Sequence, residues 1–422
     1  MTKHRPTQNA GQTSSIASTT DQRQFVLTLN AGSSSLKFAL FQVGRERILT
    51  GAFDRLGTSN ATFKASAASG SPIPQRNIPN AAHVDCLDQI FELVEKVSGP
   101  SSLYGIGHRV VHGGATHFEP EIVTPELVED MRRITPFAPE HMPAEIGIIE
   151  AVAKRMPDVP QVLCFDTAFH RDLPRVARVL PIPRRFEKVG VRRYGFHGLS
   201  YGYLMETLVR LNDPAAIRGR IILSHLGNGA SMAAVRDGRC IDTTMAFTPA
   251  AGLVMGRRTG DLDPGVAVFL ARTQGVTTDQ FDHLANHESG MYGVSETTSD
   301  MRELLALESC DLRAAEAVEL FCYQARKWIG AFTASLGGLD TLVFAGGIGE
   351  HSPAVRGRIC AGLDFLGLQV DEPANQKNSA IISSKESRVT VRVIETDEES
   401  VIVRSTCQLI QNRCKLKSAE SL

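Results

Sequence analysis

The sequence predicts an α/β fold made of two related halves with a cleft between them. Three glycine-rich segments, each following a short apolar run, indicate this: residues 27–38, 221–232 and 342–350. A glycine-rich turn lets backbone N–H groups point into one concavity, which suits an anion such as phosphate. The first two segments can be overlaid as strand, turn and strand, so we expect a duplicated α/β unit.

None of these segments is a Walker loop. The chain contains no G-x-x-x-x-G-K-[ST] sequence, and no G-x-G-x-x-G opens a helix after a strand. Phosphates would therefore be held by loops and side chains from several parts of the chain. Mg²⁺ would need its own carboxylate or water-mediated anchors.

The first half is expected to begin with two paired strands. The apolar run 25–29 predicts one strand, and residues 36–43 can return antiparallel beyond a serine-rich turn. Residues 57–82 are rich in Ser, Ala, Asn and Pro, which is typical of irregular strands and loops. Residues 83–97 predict an amphipathic helix. Its apolar face would consist of Val84, Leu87, Phe91, Val94 and Val97.

The rest of the sequence also alternates between strand and helix patterns. Residues 104–114 read as a strand, and residues 161–170 as an apolar strand that leads to a carboxylate. The second glycine-rich segment then opens the second unit. Residues 314–336 predict a long buried helix, ended by two glycines, before an apolar strand and the third glycine turn. Pro353 stands near the start of another helix, where proline is tolerated.

Composition and charge narrow the class of protein. The 422 residues are 42% hydrophobic and 22% charged, as in ordinary globular proteins, with a net charge of −1. We therefore expect no nucleic-acid partner and no membrane partner. The eight cysteines form no C-x-x-C pair, so we expect buried free thiols in a reducing cytoplasm.

The N-terminal segment lacks a secretory signal. Residues 1–24 have no apolar core and are rich in Ser, Thr and Gln, so we expect a disordered tail. A transit peptide is the alternative, although the segment shows no amphipathic pattern. No apolar run reaches the roughly 18 residues that a membrane span needs.

Nine sequence segments carry a resemblance to a known family. They are LNAGSSSLKF, GHRVVHGG, CFDTAFH, YGFHGLS, HLGNGAS, FTPAAGLVMGRRTGDLDPG, SDMR, FAGGIGEHSP and ETDEESVI. Through them the chain resembles the acetokinase family from about residue 25 to about residue 405. The resemblance implies the fold of sugar kinases, actin and heat-shock chaperones. That fold has two duplicated actin-like ATPase halves, each a mixed sheet flanked by helices, with a nucleotide cleft between them.

The resemblance also implies a division of the chain. Residues 25–168, together with about 397–416, would form the N-terminal domain. Residues 169–396 would form a C-terminal domain that binds the nucleotide and makes a homodimer. The implied reaction is reversible, Mg²⁺-dependent transfer of the ATP γ-phosphoryl group to acetate, giving acetyl phosphate and ADP by direct in-line transfer. Mn²⁺ could replace Mg²⁺.

Three other functions remain open at this point. A propionate or butyrate kinase of the same family would use the same chemistry on a longer acid. A non-catalytic actin-like nucleotide switch would need the phosphate loops but not the histidine and arginine motifs. A sugar kinase would need a carboxylate base for a hydroxyl acceptor, and no matched motif supplies one.

The implied catalytic residues would offset the negative charges of the two reactants. An anionic acid must approach an anionic phosphate, so catalysis should consist mostly of positioning and neutralisation. Arg109 and Arg258 match the family's two essential arginines, and His141 and His197 its two active-site histidines. Asp166 matches a carboxylate that orders a metal-bound water molecule.

The implied metal site lies at two distant positions. Asn30 matches a polar residue that contacts Mg²⁺ or phosphate, and Glu398 matches the metal carboxylate. Asp397 and Glu399 flank Glu398, so the assignment could shift by one position. Supporting polar residues near the first turn are Ser33, Ser35 and Lys37.

The implied nucleotide site uses three segments. They are expected to contact the triphosphate, the nucleotide and the adenosine side, respectively. Their residues are His225, Leu226, Gly227, Asn228 and Gly229; Asp300, Met301 and Arg302; and Gly346, Gly347, Ile348, Gly349 and Glu350. For the other histidines in matched motifs, His108, His112, His170 and His225, we favour a place in the core or behind the site, although His225 also opens the second phosphate segment.

Three positions depart from the family pattern. Glu140 stands where an apolar residue normally lines the pocket for the substrate's methyl group, although the other pocket residues Val111, Phe196 and Pro249 are present. An unpaired carboxylate there would repel the substrate, so we expect Glu140 to face away or to pair with a cation. Arg257 replaces a small residue beside Arg258. In addition, Ser400 replaces an apolar residue.

Overall fold

The computed structural model describes residues 24–32, 34–44, 46–67, 72–99 and 102–420. Within these ranges the strands form two sheets. The first consists of β1 (Phe25–Ala31), β2 (Ser35–Gln42), β3 (Arg47–Asp54), β4 (Thr62–Ala67), β5 (Pro72–Asn77), β6 (Leu103–Val110), β7 (Glu121–Ile122) and β8 (Gln161–Phe165). The second consists of β9 (Arg220–Leu226), β10 (Ala230–Arg236), β11 (Arg239–Thr243), β12 (Thr341–Ala345) and β13 (Thr390–Val393).

The two sheets repeat one topology. The central strand order of the first sheet is β3-β2-β1-β6-β8, and that of the second is β11-β10-β9-β12-β13. In both, the first three strands are antiparallel and the last three run parallel. Strands β4, β5 and β7 extend the first sheet at its edges. The predicted pair of mixed sheets is confirmed.

Helices cover the sheets and connect them. They are α1 (Cys86–Ser98), α2 (Pro125–Ile134), α3 (Met142–Arg155), α4 (Arg175–Arg178), α5 (Gly198–Arg210), α6 (Pro264–Gln274), α7 (Thr278–His283), α8 (Gly290–Ser295), α9 (Met301–Leu307), α10 (Leu312–Leu336), α11 (Gly346–His351), α12 (Pro353–Cys360), α13 (Glu372–Gln376) and α14 (Glu398–Glu420). Short 3₁₀ turns occupy Thr135–Phe137, Ala168–His170, Glu187–Val189, Pro214–Ala216 and Asp364–Leu366, and Leu284–Glu288 forms a π-helical turn.

The chain returns to the first sheet at its C-terminal end. Ile402 of α14 is fully buried and packs with Val162 and Cys164 of β8. A larger apolar core connects the two halves, because it contains Phe165 of β8 in the first sheet and Phe344 of β12 in the second. The boundaries near residues 168 and 397 remain predictions.

Most predicted elements form where they were expected. Strands β1 and β2 pair antiparallel with Leu29 opposite Phe38. Helix α10 ends at Leu336 because Gly337 adopts a left-handed φ of 73°. Pro353 is the first residue of α12, and the hydroxyl of Ser352 caps that helix by accepting from the Val355 N–H.

Two predicted boundaries are wrong. The first helix begins at Cys86 because the Asp85 carboxylate accepts from the Ala82 N–H and holds a turn ahead of it. Val84 therefore lies ahead of the helix and is 45% exposed, and Val97, in its last turn, is also 43% exposed instead of facing the core. Strand β6 ends at Val110, since the next backbone N–H donates to a buried carboxylate and not to a neighbouring strand.

Two other segments fold into helical turns. The strand predicted at 161–170 stops at Phe165, and a 3₁₀ turn occupies its last three residues. The third glycine-rich segment is the start of α11 and not an open turn. Gly346 permits this sharp entry, because its φ is +74° and a Cβ would lie 2.8 Å from the Leu226 carbonyl oxygen.

Candidate active site

A cleft of about 1770 Å³ is lined by residues from both sheets and their connections. It gathers residues that are far apart in the sequence. The predicted site residues on its walls are Asn30, Lys37, Arg109, His197, His225, Gly227, Asn228, Gly229, Asp300, Met301, Arg302, Gly346, Gly347, Ile348, Glu350 and Glu398. Ser35 also lines the cleft, whereas Ser33 lies outside the described residues.

Eight predicted site residues do not line this cleft. Phe196, Val111 and Leu226 belong to the buried apolar core, and Asp166 is fully buried. The other four are His141, Pro249, Arg258 and Gly349. Two of the three predicted acyl-pocket residues, Val111 and Phe196, therefore lie in the core and not on the wall of the large cleft.

Arg109 and Asp166 come together because their strands are neighbours. Strands β6 and β8 run parallel, so their carboxyl ends meet at one edge of the sheet. Arg109 donates from Nε and Nη2 to Oδ2 of Asp166, at 3.0 and 2.5 Å. The other carboxylate oxygen, Oδ1, is buried, and no group within the described residues donates a hydrogen bond to it. Such an orphaned oxygen is costly unless a water molecule or a cation completes it.

Asn30 links Arg109 to Glu398. Its Oδ1 accepts from Nη1 of Arg109 at 3.2 Å, and its Nδ2 donates to Oε2 of Glu398 at 3.1 Å. Glu398 is the first residue of α14. Burial raises the pKa of its carboxyl to about 7, although the nearby Arg109 opposes that rise. These contacts join three parts of the chain at one side of the cleft.

The two neighbours of Glu398 are placed differently. The carboxylate of Asp397 pairs with Arg47 at 2.5 Å and accepts from the backbone and hydroxyl of Ser400. This contact also accounts for the unusual serine at position 400. Glu399 lines the cleft but makes no such link to Asn30. Of these three adjacent carboxylates, Glu398 is therefore the one that contacts Asn30 in the cleft.

The residues present could hold a magnesium ion together with the phosphates of a bound substrate. Among the described residues, no group of three His, Cys, Asp or Glu side chains could hold a metal ion alone. Mg²⁺ usually takes one or two carboxylates, together with water and substrate phosphates. The unpaired Oδ1 of Asp166 and the buried carboxyl of Glu398 supply oxygens of this kind. The Oδ1 of Asn30, in contrast, is occupied by Arg109.

His197 lies at the start of α5 in a strained conformation. Its φ is 58°, which is uncommon for a residue other than glycine, and such strain often marks a functional site. The next residue must be glycine, because a Cβ at Gly198 would lie 2.1 Å from the Asp166 carbonyl oxygen. The ring of His197 stacks on that of His225, with centroids 4.3 Å apart. A single turn thus places this histidine beside both Asp166 and the second glycine-rich segment.

The two adjacent arginines have different surroundings. The guanidinium of Arg257 lies 4.1 Å from the ring centre of Tyr292 and donates to the His287 carbonyl oxygen. Arg258 instead faces the second glycine-rich segment, since a Cβ at Gly229 would lie 3.7 Å from its Nη1. Burial and the nearby Arg109 lower the pKa of Arg258. Of the two arginines, Arg258 is therefore the one beside the second glycine-rich segment.

His141 lies just ahead of α3, half-buried. Burial lowers the pKa of its imidazole to about 3, and Arg258 and Arg109 add to that effect. These two arginines therefore act on one imidazole from different segments. The same helix carries Glu145, which is 2% exposed and accepts from the Val111 N–H with both oxygens.

Glu145 is a residue that sequence reasoning missed. Burial raises the pKa of its carboxyl to about 8, against the opposing effect of Arg109. The sequence does contain a signal for it, because Glu145 precedes Ile146 on the side of α3 that also buries Ile149. A glutamate on an apolar helix face is rarely buried without a partner.

Hydrogen bonds hold two of the segments that were expected to bind the nucleotide, residues 300–302 and 346–350, in place. Glu350, expected on the adenosine side, accepts with Oε1 from the Gly346 N–H at 2.8 Å and from the Thr396 N–H at 3.1 Å. At the start of α9, the carboxylate of Asp300 accepts from the backbone and the side chain of Arg302. The glycine-rich helix α11 is therefore fixed to the segment that leads to Glu398.

The remaining histidines of the matched motifs lie in the core. His108, His112 and His170 are 2%, 0% and 3% exposed, respectively. Nε2 of His170 lies 2.9 Å from the Phe196 carbonyl oxygen. Because a carbonyl oxygen can only accept, this nitrogen is the donor. All three are away from the cleft, as we expected.

No helix within the described residues has the length and apolar character that a membrane crossing requires. Seven cysteines within the described residues are free thiols, and five of these are buried; the two that are not buried are Cys310 and Cys407. The expectation of free thiols is thus confirmed for these seven, and that of burial for five of them.

Comparisons with known proteins agree with this architecture. Residues 25–404 match the model of the acetokinase family. The chain is 43% identical to an acetate kinase from Rhodopseudomonas palustris and 40% identical to a propionate kinase from Citrobacter rodentium. The matches cover 91% of this chain in both cases, and 98% and 96% of the relatives.

Solved structures give the same result. The crystal structure of Porphyromonas gingivalis acetate kinase aligns with a TM-score of 0.83 at 34% identity, over 92% of this chain and all of that one. A propionate kinase from Francisella tularensis aligns with a TM-score of 0.86 at 33% identity, over 91% and 99% of the two chains. With its two repeated sheets and the cleft they form, this chain belongs to the acetokinase family.

Proposed function

We propose that the chain is an acetate kinase that transfers the γ-phosphoryl group of ATP to acetate, reversibly and with Mg²⁺. The observation that carries this proposal is the side-chain network of Arg109, Asn30 and Glu398 in the cleft. The glycine-rich segments line the same cleft. Phosphoryl transfer requires an arginine, a carboxylate that binds the metal ion, and backbone N–H groups that hold the phosphates.

The two arginines would neutralise the reacting charges. Acetate is ionised at neutral pH, so the reaction needs little proton transfer. We assign Arg109 and Arg258 to hold the carboxylate and the transferring phosphoryl group, because a guanidinium binds either of them with two hydrogen bonds. Held in line, the carboxylate oxygen attacks phosphorus directly and ADP leaves.

His141 and His197 would donate hydrogen bonds without carrying charge. The pKa of His141 is lowered to about 3, and that of His197 lies well below 6.5, mainly because both are buried. Both imidazoles are therefore neutral at the pH of a cell. A neutral imidazole N–H can stabilise the phosphoryl oxygens as their charge changes.

Glu398 and Asn30, with Asp166 acting through a water molecule, would hold the magnesium ion. When bound, this ion would offset the charge of the phosphates and orient them. Asn30 would have to release Arg109 from its Oδ1 in order to serve as a ligand. Asp166 keeps Arg109 oriented whether or not that amide turns.

We assign ATP to the three segments that were expected to bind it. These segments are residues 225–229, 300–302 and 346–350, and all of their residues except Leu226 and Gly349 line the cleft, as does Lys37 of the first sheet. Val111, Phe196 and Pro249 would surround the methyl group of the acid. The Pro249 carbonyl oxygen accepts from Nη1 of Arg258 at 3.5 Å, which places this proline beside the arginine.

Propionate is the second candidate substrate. The relatives include a propionate kinase at 40% identity, which is close to the 43% of an acetate kinase. One methylene changes discrimination by only about 1–3 kcal/mol, so a small difference in the pocket decides the preference. Butyrate would need a larger pocket still.

An ATP-dependent hydroxamate assay tests both candidates, because it detects acyl phosphate directly. Purified protein should form hydroxamate with acetate faster than with propionate or butyrate at equal concentration. The Arg258→Ala protein, prepared in parallel, measures any contaminating kinase. If no acid gives hydroxamate above that control, the proposed activity is wrong; a higher rate with propionate would establish the second candidate.

We also propose a cytoplasmic homodimer formed through the second half of the chain. Several apolar side chains there are exposed, among them Val176 at 89%, Val189 at 66% and Phe269 at 62%. Helix α6, which contains Phe269, has no buried residue. Sedimentation equilibrium should give twice the mass of 45.8 kDa. A single protomer mass at micromolar concentration would contradict the dimer.

A further inference from the structure

Glu145 is a buried carboxylate beside the site to which the proposed reaction gives no role. Its side chain is 2% exposed, and both of its oxygens accept from the Val111 N–H, Oε1 at 3.2 Å and Oε2 at 3.1 Å. A backbone N–H can only donate, so the direction of this contact is fixed. Glutamate is almost never fully buried unless it is paired, and here its partner is a main-chain group of the predicted acyl pocket.

The Val111 N–H has no strand carbonyl available to it. The ladder between β6 and β8 ends at Val110, and the ladder between β6 and β1 ends at Arg109. Val111 therefore lies just beyond the sheet, and it is 2% exposed. A buried N–H without an acceptor costs about as much as a lost hydrogen bond. The carboxylate of Glu145 thus supplies the acceptor that the sheet does not.

The backbone of Glu145 makes a second link, to His141. Glu145 lies in the first turn of α3, and its N–H donates to the His141 carbonyl oxygen at 3.2 Å. Burial raises the pKa of the Glu145 carboxyl, and the charge of Arg109 opposes that rise. One residue therefore joins the segment that contains His141 to the end of β6, which contains Arg109 and leads to Val111.

The position of the Val111 backbone matters because its side chain is packed. Val111, Phe196, Met142 and Ile146 belong to the same apolar core. The first two are assigned to surround the methyl group of the acid, and the other two flank Glu145 in α3. Protein cores are close-packed, so a shift of the Val111 backbone changes the space that is left for the alkyl group of a substrate.

We propose that Glu145 is a positioning residue whose carboxylate fixes the Val111 backbone relative to His141 and so sets the preference for acetate over longer acids. The part of this statement that concerns the acid rests on the proposed function; the contact between Glu145 and Val111 does not. The reach of the side chain performs this role and not its charge, because the N–H needs an acceptor oxygen at the right distance and an amide oxygen also provides one.

Substitutions at this position separate reach from charge, with acyl phosphate formation from acetate and propionate as the measurement. Glu145→Gln keeps the reach, so the KM for acetate and the ratio of kcat/KM for acetate to that for propionate should stay within about twofold of wild type. Glu145→Asp keeps the charge but is one methylene shorter, and Glu145→Leu removes the acceptor. Both should raise the KM for acetate about tenfold and decrease the ratio about fivefold, with the KM for ATP changed less than about twofold.

Glu150 provides the matched control. It lies on the same helix, is exposed and pairs with Arg132. The same substitution there, Glu150→Leu, should leave both KM values and the ratio for the two acids unchanged.

Amide hydrogen exchange tests the contact itself without any substrate. In protein labelled with ¹⁵N-valine, the Val111→Ile variant identifies the Val111 signal by its loss. This N–H should be protected in wild type and in Glu145→Gln, and should exchange at least about tenfold faster in Glu145→Asp and Glu145→Leu.

Specific outcomes would overturn the proposal. They are Glu145→Asp and Glu145→Leu proteins that keep the wild-type ratio for the two acids, or a Glu145→Gln protein as impaired as Glu145→Asp. A residue that only stabilises the fold would lower the melting temperature and leave that ratio unchanged. If Glu145→Leu does not fold, the comparison of Glu145→Gln with Glu145→Asp decides alone. Failure of the proposed function is distinguishable, because wild type would then form no acyl phosphate from any acid while the exchange rates still report the contact.

Discussion

The carboxylate of Glu140 lies 2.6 Å from Nε2 of His287. This contact joins the loop ahead of α3 to the π-helical turn at Leu284–Glu288. We expected Glu140 to face away or to pair with a cation such as Arg109, and the pairing is with His287. The same carboxylate raises the pKa of Arg258, so the charge of Glu140 acts on a residue that we assign to the reaction.

Replacing Glu140 with Leu should leave the KM for acetate within about twofold, because the pair is 31% and 36% exposed and solvent weakens it. His287→Gln should have a larger effect and raise this KM several-fold. This substitution removes the imidazole Nε2 that contacts the Glu140 carboxylate, which then lies near an anion site without this partner. Initial rates at varied acetate concentration measure both.

The double variant completes this test. In Glu140→Leu/His287→Gln, the KM for acetate should return close to the wild-type value, since no unpaired charge remains. Additive effects of the two substitutions would mean that the contact does not govern acetate binding. A large drop in KM for Glu140→Leu alone would show that the carboxylate repels acetate in the native protein.

Arg258→Ala and Arg109→Ala should each lower kcat by about two orders of magnitude or more, since each removes charge stabilisation from the transition state. Arg257→Ala is the matched control and should lower kcat by less than about fivefold, because Arg257 is held by Tyr292. Circular dichroism establishes that each variant is folded. An inactive Arg257→Ala beside an active Arg258→Ala would reverse the assignment.

Glu398→Ala should increase the Mg²⁺ concentration required for half-maximal rate by at least about tenfold, because it removes a metal carboxylate. Glu399→Ala should increase it much less, as Glu399 makes no link to Asn30. Chelation should abolish the activity of the wild-type protein, and Mg²⁺ or Mn²⁺ should restore it. If the two variants respond equally and weakly, Glu398 is not a metal ligand.

The protein should lose stability in mild acid. Burial lowers the pKa of His108 and His170 from 6.5 to about 4. The unfolded chain binds protons at these histidines first, so their contribution is complete above about pH 6.5 and is lost as the pH falls toward 4. Each adds a slope of up to about 1.4 kcal/mol per pH unit.

Urea unfolding between about pH 7 and 4.5 measures this slope. His170→Gln keeps a donor for the Phe196 carbonyl oxygen but cannot titrate, so the slope should decrease by about one proton's contribution. The matched control variant is His351→Gln, which makes the same substitution at an exposed histidine. Equal slopes for wild type and His170→Gln would mean that His170 is protonated as readily in the folded protein.

The sequence by itself determined the class of the fold and the segments of the site. Apolar runs followed by glycine turns predicted the strand pairs, and helical periodicity with two glycines predicted α10 and its end. These features are local, because strand alternation, helix spacing and left-handed glycines depend on near neighbours in the chain. The motif resemblance then gave the family, and the comparisons confirmed it.

Only the tertiary structure decided which side chains meet. Glu140 and His287 are in separate segments, and so are Asn30 and Glu398, which lie 368 residues apart. The contacts that Ser231 makes with Tyr201 and His197 likewise depend on how α5 packs against the second sheet. Periodicity carries no information about such contacts, since they are set by the packing of the two halves. Partner choice and protonation follow from burial and neighbouring charge, which exist only once the chain is folded.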